Sequence, residues 1–336
     1  MVTISSYPFA VALCVVTMLC WGSWANTQKL ATKEWRFQLF YWDYSIGVLL
    51  LSLILAFTLG SLGAEGRPFL EDLKQAQLAW LGSAFIGGVI FNLSNILLVG
   101  AIDIAGLAVA FPIGVGLALA LGVVTTYFAT RSGNVPMLTA GVACILIAIV
   151  LDAIAYSRLA SASRRRPVYG IVLSVVAGVL MGWFYSFVAQ SMGTLDPSNG
   201  ELTPGKVSPY TALVLFSLGV FLSSFIWNSI VMAKPFQGEP VSYREYFANG
   251  SPRLHMVGIV GGVIWNIGMG LSMVASSAAG AALSYGLGQG ATMIGAIWGV
   301  FVWKEFAGSP KGTGWLLFGM FAFYLLGLGI LIASKP

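Results

Sequence analysis

Six residues, Gly87-Gly88-Val89-Ile90-Phe91-Asn92, return later in the same chain as Gly261-Gly262-Val263-Ile264-Trp265-Asn266. The register then holds without a gap for about forty residues, the scale of a duplicated unit and not of a chance match. In that register Ala105-Gly106 meets Ala279-Gly280, and Gly114-x-Gly116 meets Gly288-x-Gly290. If the unit holds an odd number of membrane spans, its two copies insert in opposite orientations. Inverted repeats of that kind are a common way to build a secondary transporter.

Composition names the solvent. Hydrophobic residues make up 58% of the chain and charged residues 9%, with a mean hydropathy of +0.87. Soluble domains carry roughly 25% charged residues, so the lipid bilayer is the partner this surface requires. The net charge of +5 sits between apolar runs, where it sets orientation and calls for no nucleic acid. Cys14, Cys20 and Cys144 lie inside apolar segments without metal-ligand spacing, which excludes a disulfide framework and a zinc site.

A helix needs about 20 apolar residues to cross ~30 Å of hydrocarbon. Ten stretches qualify: 8–28, 39–60, 78–99, 103–127, 137–156, 169–192, 209–232, 255–275, 279–303 and 312–333. The first lacks a basic leader and a small-x-small cleavage site, so it reads as a retained helix. The expected fold is an all-α polytopic membrane protein of ten transmembrane helices in two inverted five-helix repeats. The boundaries are 1–156 for the first repeat, 157–168 for a basic cytoplasmic connection, and 169–336 for the second. Asp43-Tyr44-Ser45 and Pro209-Tyr210-Thr211 are a weaker echo between spans 2 and 7. The segments 67–74 and 235–253 are candidates for short interfacial helices.

Twelve lysines and arginines fall in the connections after spans 1, 5, 7 and 9, among them Lys29, Lys33, Arg36 and Arg164 to Arg166. The opposite side holds five: Arg67, Lys74, Arg131, Lys206 and Lys335. The positive-inside bias places the twelve in the cytoplasm and both termini outside the cell membrane, inner or plasma.

Polar groups at membrane depth must face a neighbouring helix or a water-filled cavity. Trp21, Trp24 and Gln28 stand at i, i+3 and i+7 on one helical face. Span 3 adds Asn92 and Asn95, span 8 adds Trp265 and Asn266, and span 9 adds Tyr285 and Gln289. Amides that donate and accept, beside flat aromatic faces, suit a small neutral or zwitterionic solute with a planar ring or several hydroxyls. For each amide an interhelical hydrogen bond that glues the bundle is the competing role, and for the repeat mates Asn92 and Asn266 the alternative is a pair of opposing walls of one cavity. No fixed cation lies at mid-span to suit a strong anion.

Asp43, in Trp42-Asp43-Tyr44, is the candidate ion-coupling carboxylate, for protons or Na+. Burial among aromatics and pairing with Lys29 would act on it in opposite senses; a helix-terminal charge is the other reading. Pro112, and its repeat mate Gly286, are expected hinges, with close packing as the alternative. Asp152, late in span 5, reads as a peripheral group facing a neighbouring helix or the lipid edge, and the Lys304-Glu305 pair as a membrane-edge group.

Gly286-x-Gly288-x-Gly290 lies in an apolar helix without a preceding strand, so it is no nucleotide fingerprint, and no Walker A pattern supports ATP-driven transport. The sequons at Asn92 and Asn249 prove no glycosylation. His255 reads as an interfacial residue. Neither a nucleophile with its base nor a metal cluster is present in the pattern, so an enzyme and a cofactor are not expected.

The segment from Cys20-Trp21-Gly22-Ser23-Trp24-Ala25-Asn26 to Lys29, followed by Trp35-Arg36-Phe37 and Phe40-Tyr41-Trp42-Asp43-Tyr44-Ser45, resembles the opening of the plant ureide permeases. The whole chain is similar to the glucose/ribose porter branch of the drug/metabolite transporter superfamily. The resemblance implies ten helices in two inverted repeats, with spans 5 and 10 peripheral. It also implies uptake of allantoin, uracil and related oxo-nitrogen heterocycles, coupled to protons. Plant members carry a long cytosolic connection with a Walker-A-like sequence where this chain has only the short segment around Arg164-Arg165-Arg166.

The expected function is a secondary importer of a ureide or nucleobase, working by alternating access around a midplane site. A monosaccharide porter for glucose, ribose or rhamnose is the first alternative, and a non-transporting scaffold or receptor the second. Multidrug efflux would want a midplane glutamate, which span 1 lacks. A homodimer is compatible with the sequence.

Overall fold

The computed structural model of the protein describes residues 1–31, 34–105, 107–131, 134–159, 167–196 and 198–334. Lys33, Gly106, Arg164 to Arg166 and Lys335 lie outside them, with most of the basic connection, as do the side chains of Asp103, Ala108 and Pro112.

Among the described residues every regular element is a helix. The order is α1 (Tyr7–Ser23), α2 (Ala25–Ala31), α3 (Phe37–Phe57), α4 (Phe69–Gln75), α5 (Leu78–Ala105), α6 (Leu107–Thr130), α7 (Val135–Ser157) and α8 (Pro167–Ser191). There follow α9 (Pro209–Ala233), α10 (Tyr243–Asn249), α11 (Pro252–Ala279), α12 (Ala281–Gly288), α13 (Ala291–Ile297), a π-helical turn at Trp298–Val302, and α14 (Thr313–Ala333). Sequence sets the starts locally. Asn134, Ser208 and Ser251 each accept from a backbone N–H three residues on, and each is followed by a proline within the first two helical positions.

Nine helical segments among the described residues are long and apolar enough to cross a bilayer. The tenth expected span, 279–303, is instead divided into α12, α13 and the π turn. Span 1 is divided too, at Trp24. There Asn26 Nδ2 donates to the Ser23 carbonyl at 2.9 Å and Thr27 Oγ1 to that of Trp24 at 2.6 Å. Such side chains offer the backbone an alternative to helix, and α1 ends at that point. In span 9 the break lies at Gln289-Gly290, where Thr292 Oγ1 donates to the Gln289 carbonyl at 3.0 Å. Gly286 itself is inside the regular part of α12, and α6 runs as helix through position 112.

Two crossings position everything else, and they are built alike. Where α3 crosses α11, a Cβ on Gly47 would collide with the Ile259 carbonyl and one on Gly262 with that of Tyr44. Where α9 crosses α5, a Cβ on Gly219 would collide with the Phe85 carbonyl and one on Gly88 with that of Phe216. Glycine is therefore required at four points of backbone-to-backbone approach. Each crossing carries an asparagine bridge: Asn266 Nδ2 donates to Val48 O at 2.7 Å, and Asn92 Nδ2 to Val220 O at 3.1 Å. This geometry pairs Tyr44 with Phe216, and not with Tyr210 as the sequence echo suggested.

The remaining contacts follow the same exchange of halves. The α1–α11 pairing has its counterpart in α5–α8, and α7 packs against α14 at the side of the bundle. Tyr7 O–H donates to the Ile332 carbonyl, which brings the start of α1 and the end of α14 to one face. On that face α4 is clamped to the 192–208 loop. Arg67 pairs with Asp72 at 3.1 Å and donates to Leu202 O at 2.7 Å, while Asp72 Oδ2 accepts from Ser208 N at 2.7 Å. The short helices α4 and α10 occupy the two stretches expected to be interfacial.

Candidate functional site

A vestibule of about 740 Å³ opens on the face that carries the chain ends. Its walls are the ends of α6 (Ala129, Thr130) and α8 (Ala189, Gln190), the segment ahead of α1 (Thr3 to Ser5), and the junction of α11 and α12 (Ser276 to Ala281). Glu65, Asp196 and Lys206 stand at its rim. Lys206 lies over the Trp80 ring at 4.5 Å. Asp196, outside the spans, accepts from the N–H and hydroxyl of Ser198, which hold its carboxyl below the usual carboxylate value.

One helical turn deeper the same walls carry hydroxyls. Ser284 Oγ donates to Ser272 O at 2.8 Å, Ser272 Oγ lies 2.9 Å from Ser284 Oγ, and the Cys14 thiol is 3.6 Å from the latter. The Tyr185 hydroxyl reaches Ser272 Oγ only at 3.4 Å. Thr126 is fully buried below Thr130, and its hydroxyl has no partner among the described residues. Sequence reasoning passed over this layer. Its only signal was small hydroxyl residues inside apolar runs.

Below the hydroxyls an aromatic column fills the centre. Trp265 stacks on Trp21 at 5.8 Å and on Phe216 at 5.9 Å, and meets Phe91 at 4.6 Å. Phe184 meets Phe91 at 5.1 Å, and Tyr285 meets Tyr185, again at 5.1 Å. On the other flank Trp24 lies 4.9 Å from Tyr44, which sits 5.2 Å from Tyr41. The column draws on both halves of the chain.

The structure thus brings Trp21, Trp24, Trp265 and Tyr285 into one connected group. Trp21 is lodged between Gly268 and Gly288, where a Cβ on either would strike its indole, and its Nε1 donates to Trp265 O at 3.1 Å. Tyr285 shares its hydroxyl proton between Ala118 O at 3.1 Å and Met181 O at 3.2 Å, tying α12 to α6 and α8. Gln28 lies on α2, beyond Trp24, whose backbone keeps helical dihedrals and donates to Cys20 O. Gln289 lies half-buried in the break of span 9.

The asparagines make interhelical hydrogen bonds. Asn92 is fully buried, accepting from Tyr41 O–H at 2.8 Å and contacting Ser223 at 2.8 Å and Ser224 at 3.2 Å besides Val220. Asn95 donates to Tyr41 Oη at 3.1 Å. Asn266 is equally buried, and its Oδ1 has no partner among the described residues.

At the far end of the column two polar clusters stand side by side. Asp43 accepts from Trp35 Nε1 at 3.2 Å and Tyr246 O–H at 2.5 Å, and lies 2.8 Å from His255 Nδ1. Burial first, and then the Asp43 carboxylate, push the phenol of Tyr246 in the loop helix α10 above its usual range. Lys29, expected beside Asp43, instead pairs with Glu305 at 2.6 Å and lies 4.3 Å from the Trp303 ring centroid. Trp303 Nε1 donates to Asn26 Oδ1 at 2.7 Å, Trp298 Nε1 to Ser23 Oγ at 2.9 Å, and Tyr156 O–H to Glu305 Oε2 at 2.8 Å. These bonds latch the end of span 1 to the end of span 9. No group of three or more His, Cys, Asp or Glu among the described residues is placed to hold a metal ion.

A vestibule, an aromatic column and two interrupted helices latched together make up the site. The model of the ureide permease family matches residues 40–166 and 155–334, two blocks that meet at the basic connection. The chain belongs to the ureide permease family. Ureide permease 2 of Arabidopsis thaliana is 25% identical over 97% of this chain and 97% of its own length, and ureide permease 1 of the same plant is 24% identical over 100% and 99%. One solved crystal structure matches with a TM-score of 0.59 at 16% identity, covering 97% of this chain and 96% of the other; it shows the fold alone. As a member of this permease family the protein is a multi-pass membrane transporter of small molecules, and not an enzyme.

Proposed function

We propose that this permease moves a ureide or a related oxo-nitrogen heterocycle, of the allantoin or uracil kind, by alternating access between two halves of the chain. The observation that carries the reading is the difference between the two ends of one path. A vestibule of about 740 Å³ stands open at one end, while at the other Lys29, Asn26, Trp303 and Glu305 are joined. The paired glycine crossings and the two Asn bridges support halves that rock against each other, with Trp21, Trp24, Trp265 and Tyr285 as the aromatic wall a flat ring would stack on. Gln289, in the break of span 9, is the amide this reading assigns to a urea-like group, with Gln28 at the end of span 1 as the second. In this reading the vestibule faces outward, both termini are extracytoplasmic, and the membrane is the inner or plasma membrane.

Proton coupling belongs to the proposal, and Asp43 is the carboxylate that the sequence singles out for it. In the fold Asp43 is also a hub that ties α10 to α3 and α11 through Tyr246 and His255.

The test is counterflow of labelled allantoin in proteoliposomes, competed by unlabelled uracil, rhamnose and glucose. Competition by uracil and not by the sugars is expected. Competition by the sugars alone moves the assignment to a monosaccharide porter, and no counterflow in inserted, folded protein contradicts transport of this substrate class.

A further inference from the structure

Asp152 lies on α7 about one turn from the end of that helix, where the sequence alone reads a peripheral group. It is 6% exposed, and its Oδ1 has no hydrogen-bond partner among the described residues. The helix α14 packs on α7 and carries Tyr324, which is fully buried. One turn along the same face of α7, Tyr156 donates to Glu305 Oε2 at 2.8 Å, which brings the Glu305 carboxylate to the helix face that carries Asp152. Of the cations at this end, Lys29 is paired with Glu305, Arg158 closes α7 and reaches toward Gly312 at the start of α14, and Lys304 adjoins Glu305 in the chain. The helix α6, which also packs on α7, carries no charged residue.

An ionised carboxylate with an unpartnered oxygen in such a place is costly, and intramembrane acids of this kind mark ion and proton pathways. Asp43 differs. Three donors already surround it.

We propose that Asp152 is the carboxyl that binds the coupling proton, one helical turn from the tyrosine that holds the Lys29–Glu305 latch. The proposal rests on the transporter reading above and moves the coupling role from Asp43 to Asp152. With the proton bound, Lys29 and Glu305 form a balanced pair beside a neutral acid, and the latch holds. With the proton released, two carboxylates compete for one lysine, and the latch weakens. The proton enters from water on one side of the membrane and leaves to water on the other, as the latch closes and opens.

Two measurements test it. The first needs no substrate: the solubilised wild-type protein is treated with a hydrophobic carbodiimide, which adds to protonated buried carboxyls, and the adduct is mapped by peptide mass spectrometry. Labelling on Asp152 that declines as pH rises, with Asp43 unlabelled, is expected. An Asp152 that stays unlabelled at every pH where the protein remains folded overturns the proposal. The second compares gradient-driven accumulation of allantoin with its counterflow in proteoliposomes. Asp152→Asn lowers the ratio of the two at least tenfold, whereas Asp43→Asn lowers both together. An unchanged ratio in Asp152→Asn overturns the proposal as well. Wild-type protein that neither accumulates nor exchanges allantoin sinks the substrate reading instead, and the labelling then decides the role of Asp152, as it does if Asp152→Asn fails to insert.

Discussion

Asn92 and Asn266 occupy equivalent crossings, yet they do unequal amounts of bonding. Asn92 satisfies Tyr41, Val220 and two serines, whereas Asn266 satisfies Val48 alone. Removing Asn92 takes the acceptor from the buried Tyr41 hydroxyl, at about 1–3 kcal/mol, while the interhelical bond lost with Asn266 is worth about 0.6 kcal/mol. Denaturant unfolding in detergent should therefore show Asn92→Ala to be less stable than Asn266→Ala. A titration at Asp196 has the usual carboxylate sign. Its folded value is depressed, so the stabilisation is present above the unfolded value and is lost as pH falls through the folded one. Nicking of the 194–206 loop by an acid-active protease should increase over that fall. At this scale the sequence identified residue types well and partners poorly. Aromatics such as Trp21 and Trp265 were found because any buried aromatic at mid-span joins a cluster. The Asp43–His255 contact spans 212 positions and the Lys29–Glu305 pair 276, separations over which no local pattern carries information.

Helices were legible as apolar runs because a bilayer leaves a spanning segment few other ways to satisfy its backbone. The interruptions were not read, although Ser23, Asn26 and Thr27 in span 1 and Gln289-Gly290 in span 9 carry the helix-competing groups and the glycine that produce them. Glycine in these elements is specific and not general. At Gly286 a Cβ would make ordinary contacts with Val123 and Leu331 at 3.4 Å, whereas at Gly288 it would meet the Trp21 ring at 2.6 Å. Gly286→Ala should leave the unfolding midpoint near that of wild type or raise it, because alanine is the better helix former by about 1 kcal/mol. Gly288→Ala should lower it and displace Trp21. The same contrast separates Gly88 and Gly262, pressed against carbonyls, from Gly82, which faces open space. The latch is a different kind of element. Lys29 and Glu305 are partly exposed, and such pairs contribute about 0–1 kcal/mol. Glu305→Gln should hardly change unfolding yet shift the balance between the two facing states, read as a changed rate of counterflow.

Across the whole molecule, the duplicated glycine-rich phrase proves to be the segment that makes both central crossings, and this is why it could be read so early. Gly88 and Gly262 each meet a backbone carbonyl, and Asn92 and Asn266 each bridge to a backbone carbonyl four residues later on the same helix. The asymmetry between the two ends was not legible, since it lies in residues without repeat counterparts such as Lys29, Trp303 and Glu305. The account holds that the vestibule and the latch are opposite ends of one path and work in opposition. Distances between spin labels test this most directly. One pair, Thr130→Cys with Ser277→Cys, reports across the vestibule; the other, Leu30→Cys with Lys304→Cys, reports across the latch. On adding allantoin, the account predicts a population in which the vestibule distance shortens while the latch distance lengthens. Two distances that lengthen together, or that both stay fixed while the protein carries out counterflow, would contradict it.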